Sequence, residues 1–331
     1  MKKRRFLALV VGLILFLSAC GSQQAKDHEV IVLKANQPVD AKHPYHLGLE
    51  KFAEIVEEKT EGRYKIDIYS SGQLGDERTS IENLQLGSLD IAVTSTGPLG
   101  AFLKNYQILD FPFLFSSYEE ADASLKGPLG QRLLEDLKSI GLVGGAFWEN
   151  GFRNVTTSKK WGPVKSMEDM KGLKIRTMEN EIHMKFFKAL GADPTPMSWA
   201  EVFSQLQNGG LDAQENPIPV LYNNKLNEVQ DYVMLTHHVY SPALIVFSQK
   251  TLDKMDEKDV AIFMEAAKEA AIYEKEQIRS QEKDQLAKLE GLGMELVELE
   301  LDPFQEVGKN ILEENKVNFD EEILDLLFTE K

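Results

Sequence analysis

GLKIRTMENEIHMKFFKALGADPTPMSWAEVFSQLQNGGLDAQENP, residues 172–217, is the stretch on which the reading of the fold turns. Its short apolar run at 173–175 predicts a buried strand that delivers Arg176 to its C-terminal end, where open α/β sheets place their ligands. A guanidinium at that edge calls for an anion. Pro194, Pro196 and Met197 lead into Ser198-Trp199-Ala200-Glu201, whose spacing predicts a capping box at a helix start. That helix is expected to stop at Gly209-Gly210. A second short strand over 211–214 then ends on Glu215-Asn216-Pro217, which brings a polar amide to the same sheet edge as the arginine.

Working outward, residues 30–35 form a β-branched run that predicts a first strand ending on Asn36. Over 46–58, Leu49, Phe52, Ile55 and Val56 recur at the spacing of one buried helix face, and 64–69 reads as a second strand. Ser70-Ser71-Gly72 then turns the chain into Gln73-Leu74-Gly75-Asp76-Glu77. This βαβ alternation predicts an α/β sandwich. An internal repeat sharpens it: Asn83-Leu84-Gln85-Leu86-Gly87-Ser88-Leu89-Asp90 resembles Gln205-Leu206-Gln207-Asn208-Gly209-Gly210-Leu211-Asp212, and each lies between a helix pattern and a short strand. Two lobes built alike would explain it, with Thr94-Ser95-Thr96 in the first matching Glu215-Asn216 in the second.

The aromatic run 111–115 reads as a core-packing loop. A helix over about 119–139 leads to a strand at 141–148, Glu149-Asn150-Gly151 is expected to turn, and Phe152-Arg153 opens the second lobe. From Asp256 to about Leu289 neither proline nor glycine interrupts a helix roughly 50 Å long, at about 1.5 Å per residue. Val260, Phe263, Met264, Ala267 and Ala271 form its apolar stripe. Beyond Tyr273 it turns polar, as for a helix that crosses between lobes or lies on the surface. The tail, 304–331, reads as amphipathic helices packing on the second lobe.

With 331 residues, 43% hydrophobic and 27% charged, the chain has material for two domains. Lys2, Lys3, Arg4 and Arg5 precede an apolar run over 6–17, too short for a comfortable membrane span, so residues 1–19 read as a signal peptide. Leu17-Ser18-Ala19-Cys20 places the one cysteine where a bacterial lipobox carries its acylated residue, and 20–29 reads as a lipidated tether. A single cysteine leaves no disulfide. Removing 1–19 deletes four positive charges and no acids, taking the formal charge from −16 to −20, a balance that repels nucleic acid. An anionic ligand must then be drawn in by local arginines, since repulsion from the whole surface is screened beyond about 8 Å. His43-Pro44-Tyr45-His46 and His237-His238 offer zinc-type ligands, but no helical His-Glu-x-x-His pattern supports a metal, and Walker or dinucleotide loops are absent. No cofactor is expected.

Arg176, Pro194-Thr195-Pro196-Met197, Trp199 and Gln214-Glu215-Asn216-Pro217 together resemble the solute-binding subunit of TRAP transporters, the DctP-type extracytoplasmic receptors. Gln73-Leu74-Gly75, Leu89-Asp90, Gly151-Phe152-Arg153 with Thr156-Thr157, and Met170-Lys171-Gly172-Leu173 extend the match over about residues 30–250, in the family's order. The resemblance implies a two-lobed periplasmic-binding-protein-like α/β fold, each lobe a sheet flanked by helices, with a long helix spanning both. Residues 30–150 and 241–281 would form lobe I, and 151–240 and 282–331 lobe II. It implies no enzyme, but a lipid-anchored protein that hands a small organic carboxylate to the membrane permease subunits.

By that resemblance Arg176 receives the carboxylate, Arg153 contacts or supports it, the Asn216 amide reaches the ligand and Trp199 flanks it. Asn36, His43, Glu77, Ser95, Trp148, Glu179, Asn180 and Tyr240 fall on or beside loops that would line the cleft. The hydroxyl partners among them favour a sugar acid such as D-glucuronate or D-galacturonate, with a C4-dicarboxylate as the alternative. A ligand sensor of the same fold feeding a membrane kinase is the other reading.

Overall fold

A computed structural model describes residues 30–329, so the signal peptide expected over 1–19, the tether expected over 20–29 and Cys20 lie outside the described residues. The alternation of β-branched runs with amphipathic segments folds into two copies of one unit. The first comprises β1 (Ile31–Asn36), α1 (Pro44–Lys59), β2 (Tyr64–Tyr69), α2 (Glu77–Leu86) and β3 (Ile91–Ser95). After α3 (Tyr118–Lys126), α4 (Pro128–Asp136) and β4 (Leu142–Thr157), the second comprises β5 (Lys174–Thr177), α5 (Glu181–Ala189), β6 (Asp193–Pro196), α6 (Trp199–Gln207) and β7 (Ala213–Pro217). Then come α7 (Ile218–Asn223), β8 (Tyr232–Ser248), α8 (Glu257–Gly291), β9 (Glu295–Val297), α9 (Asp302–Asn315) and α10 (Glu321–Thr329).

In each unit the first strand lies parallel between the other two: β2-β1-β3 and β6-β5-β7. The repeat seen in the sequence marks the same junction in both. Gly87 after α2 and Gly209 after α6 are left-handed, at φ 76° and 71°. Asp90 N then donates to Lys34 O at 3.3 Å and Asp212 N to Lys174 O at 2.9 Å. Counting two residues on from each lysine makes Asn36 the counterpart of Arg176, so both units aim a polar side chain from the C-terminal end of their central strand.

The two long antiparallel strands join the units. β4 and β8 have 16 and 17 residues, on the order of 50 Å each at about 3.3 Å per residue. β3 pairs with the 243–247 end of β8 and β7 with the 153–157 end of β4, giving the order β2-β1-β3-β8-β4-β7-β5-β6, with β9 on β8. The turn expected at Glu149-Asn150-Gly151 is therefore not a turn. β4 continues through it with a bulge, because β8 supplies hydrogen-bond partners on both sides. The helix expected over 119–139 divides at Gly127-Pro128, since proline has no N–H to continue it. The strand expected at 211–214 lies at 213–217. The capping box does not form: Ser198 precedes α6 without a side-chain bond to its amides, and Glu201 N turns to Ser198 O at 3.3 Å.

Phe263, Ala266, Ala267 and Ala270 of α8 pack with Phe52 and Phe247, while Leu289 packs with Leu206, Leu221 and Val233 near the helix's other end. The polar second half of α8 is not a surface stretch: Glu274, Ile278, Gln285 and Leu289 are buried. Phe111, Leu114 and Phe115 are core, as expected of the aromatic run. Of the tail, Phe304 in α9 joins Phe186, Phe187 and Met234, but Ile323 and Leu327 of α10 pack with Leu129 and Leu133 of α4.

Candidate functional site

The C-terminal ends of β3, β5 and β7 converge on a small cavity of about 20 Å³. Glu77, Ser95, Arg153, Arg176, Trp199 and Asn216 line it, six of the residues singled out from the sequence. Arg176 is 3% exposed. Its Nε and Nη2 donate to Met197 O at 2.9 and 2.6 Å, and its guanidinium lies over the Trp199 ring at 5.7 Å. Among the described residues no acid forms an ion pair with it. Burial, then the positive Arg153, lowers its pKa to about 10 against the pull of Glu215, Glu77 and Glu179.

Arg153 is fully buried and ion-paired to Glu215 through Nε. Its Nη2 donates to Glu215 Oε1 at 2.8 Å, Glu215 O at 2.6 Å and Asn216 Oδ1 at 3.1 Å. Its Nη1 is buried without a partner. His238 Nε2 stands 3.2 Å from Glu215 Oε2. Burial alone would push the Glu215 carboxyl up, but the Arg153 charge, then the His238 hydrogen bond, hold it well below the usual range. Asn216 directs Nδ2 to Gln214 Oε1 at 2.6 Å. Across the cavity, Glu77 Oε1 accepts from Ser95 N, Ser95 Oγ and Thr94 Oγ1 at 2.6, 2.7 and 3.3 Å. One wall thus holds two guanidiniums beside a single paired carboxylate, and the other a half-buried glutamate.

Glu179 is half-buried and lines an adjoining pocket of about 10 Å³ that shares Glu77, Arg176 and Trp199. The structure does not bring Asn36, His43, Trp148, Asn180 or Tyr240 to the cavity wall. Asn36 binds Gly75 O and Ser80 Oγ at 2.9 and 2.8 Å. His43 caps α1, accepting from Tyr45 N at 3.2 Å, with its pKa lowered to about 3 by burial. Trp148 is core and sits so close to Gly48 that a Cβ there would lie 2.7 Å from its ring. Tyr240 donates to Glu149 Oε2 at 3.1 Å within an aromatic cluster.

Asn180 caps α5 and donates to Asp110 Oδ2 at 2.7 Å. Asp110 Oδ1 has no hydrogen-bond partner and lies 3.8 Å from His183 Nε2. Burial raises the Asp110 carboxyl to about 7. Its unfolded value is about 3.9, so the protonated carboxyl favours the native state at low pH and that advantage is lost as pH rises through 7. Asp110→Asn keeps an acceptor for Asn180. It is expected to raise the melting temperature by several degrees at pH 8 and to change it little at pH 4, as read by differential scanning fluorimetry; equal shifts at both pH values would refute this.

Tyr45, Asn150 and Met178 also line the cavity and were missed. Tyr45 follows His43-Pro44 at a helix start and Asn150 precedes Gly151-Phe152-Arg153, which were the available signals. A groove of about 1090 Å³ between α8 and α4 is far roomier. Its Lys275 and Arg279 are, however, paired with Asp122 at 2.9 and 3.0 Å, so it offers no free buried cation.

The family model DctP, bacterial extracellular solute-binding protein family 7, matches residues 35–317. The chain belongs to this family. A solute-binding protein of Verminephrobacter eiseniae is 40% identical over 252 residues, 76% of this chain and 75% of that protein. A TRAP periplasmic solute-binding protein from Polaromonas sp. JS666, solved bound to D-erythronate, is 39% identical with a TM-score of 0.86, over 90% of this chain and 98% of that one. The sugar acid binding protein DctPAm of Advenella mimigardefordensis, in complex with galactonate, is 30% identical with a TM-score of 0.88, over 92% and 100%. The described residues share the two-lobed α/β fold of these DctP-family proteins. Within it Arg153, Arg176 and Asn216 stand on β4, β5 and β7, three adjacent strands of one sheet.

Proposed function

We propose that this protein is the extracytoplasmic receptor of a TRAP transporter, anchored by lipid at Cys20, that binds a sugar acid and presents it to the membrane permease. The observation that carries the reading is Arg176: a buried cation with no acid paired to it among the described residues, beside an unpartnered Nη1 of Arg153. A carboxylate satisfies both with charge-assisted bonds. The opposite wall, Glu77 and Ser95, suits hydroxyl groups, and Trp199 offers a face to a carbon chain. D-glucuronate and D-galacturonate fit this description. A C4-dicarboxylate would set its second carboxylate against Glu77.

The cavity's 20 Å³ has room for about one water, so a sugar acid enters only when the walls part. Residues 30–150 with 241–281, and 151–240 with 282–331, would then be two lobes that swing on β4 and β8, and a ligand touching both favours the closed form. In a thermal-shift screen of the full chain, D-galactonate, D-galacturonate or D-glucuronate is expected to raise the melting temperature, by mass action, where succinate does not. No shift with any sugar acid, or a shift with succinate alone, would sink the proposal.

A further inference from the structure

Two polar groups in the cavity wall have no part in the reading above. Asn150 and Tyr45 are 6% and 2% exposed, and Asn150 Oδ1 and Tyr45 OH, like Arg153 Nη1, are buried without a hydrogen-bond partner. Buried polar atoms of folded proteins nearly always have partners, and three of those that lack one here belong to residues lining one cavity, where a ligand can supply them.

The backbone explains why Asn150 is among them. In a regular strand, side chains three residues apart point to opposite faces, which would part Asn150 from Arg153. β4 instead registers Glu149 with Pro242 and Gly151 with Ser241, leaving Asn150 as an inserted residue. Gly151 takes φ 112°, a conformation that a side chain would strain. The bulge resets the alternation, and Asn150 and Arg153 reach the same cavity. A ligand in this cavity can therefore meet both Arg153 and Asn150.

We propose that Asn150 and Tyr45 hold the hydroxyl on the carbon next to the ligand's carboxylate, so that the site selects aldonates, which are 2-hydroxy acids, over pyranose uronates. The proposal rests on the sugar-acid reading and narrows it. In an aldonate the C2 hydroxyl donates to Asn150 Oδ1 and accepts from Tyr45 OH. Burial raises the Tyr45 pKa well above its usual value, so its hydroxyl keeps the proton it donates. In a pyranose uronate the corresponding carbon bears the ring oxygen, which accepts but cannot donate and leaves Asn150 Oδ1 unpaired. Sites built to hydrogen-bond a substrate hydroxyl discriminate strongly against analogues lacking it.

The test is calorimetric titration of the full chain with D-galactonate, its 2-deoxy analogue and D-galacturonate. Galactonate is expected to bind at least about tenfold more tightly than either of the others. Asn150→Ala should remove most of that advantage by weakening galactonate while leaving the 2-deoxy acid nearly unchanged. Tyr45→Phe, which deletes only an oxygen and cannot disturb the bulge, should do the same in smaller measure. Equal affinities for galactonate and the 2-deoxy acid, tighter binding of galacturonate, or variants that weaken both acids alike would overturn the inference while the sugar-acid reading stood. If the wild type binds no sugar acid, both fall together.

Discussion

Arg176→Met is expected to weaken sugar-acid binding at least about 100-fold in calorimetric titration, while the ligand-free protein melts no lower than wild type. Two charge-assisted bonds, each contributing at least about 1.5 kcal/mol, set that minimum at about 1.4 kcal/mol per tenfold. The unchanged melting point follows from the other side of the balance. The guanidinium is buried with no acid paired to it among the described residues, and its pKa of about 10 means that the native environment opposes the charge. Methionine fills much of the same volume without that cost, which offsets the two hydrogen bonds lost from Met197 O. A variant that binds normally but melts well below wild type would show that Arg176 is a structural residue.

Arg153→Met is expected to lose both binding and stability. Glu215 is fully buried, and breaking a buried ion pair from one side leaves an uncompensated charge worth about 3–5 kcal/mol. At about 2–4 °C per kcal/mol, the melting temperature should fall on the order of 10 °C. Glu215's depressed pKa makes its pairing a source of stability above the usual carboxylate pKa of about 4.3, lost as pH falls through the folded value. The gap between variant and wild type should therefore be widest near neutral pH and close in acid. Arg153→Met combined with Glu215→Leu should recover part of the loss. A single variant as stable as wild type at pH 7, measured by scanning fluorimetry, would remove the ion pair from the account.

The contrast between these arginines shows where reading a sequence stops. Both sit in short motifs, and both were expected to face a carboxylate. Nothing along the chain tells that the Glu215 carboxylate, on another strand, takes Nε and Nη2 of Arg153 while Arg176 spends two donors on a carbonyl. Asn36, His43 and Asn180 were plausible ligand groups by residue type and loop position. In the fold Asn36 spends its amide on Gly75 O and Ser80 Oγ, Asn180 spends its own on Asp110 and the start of α5, and His43 turns Nδ1 to Tyr45 N, and each lies off the cavity wall. Tyr45 and Asn150 were overlooked for the opposite reason: a polar side chain left without a partner can be recognised only when every neighbour is in place.

Local pattern alone decided the two βαβαβ units, the repeated helix-glycine-strand junction, the long helix and the delivery of Arg176 to a strand end. All of these depend on side-chain periodicity and glycine's left-handed freedom, which neighbours within a few residues dictate. Contacts between distant segments decided the rest. The run of β4 through Asn150-Gly151, the pairing of Arg153 with Glu215 and the burial of Glu274 on the long helix each depend on residues between about 50 and 140 positions away. The identity of the bound acid belongs to this second class. It depends on which buried polar atoms the folded chain leaves unpaired, a quantity that no single segment contains.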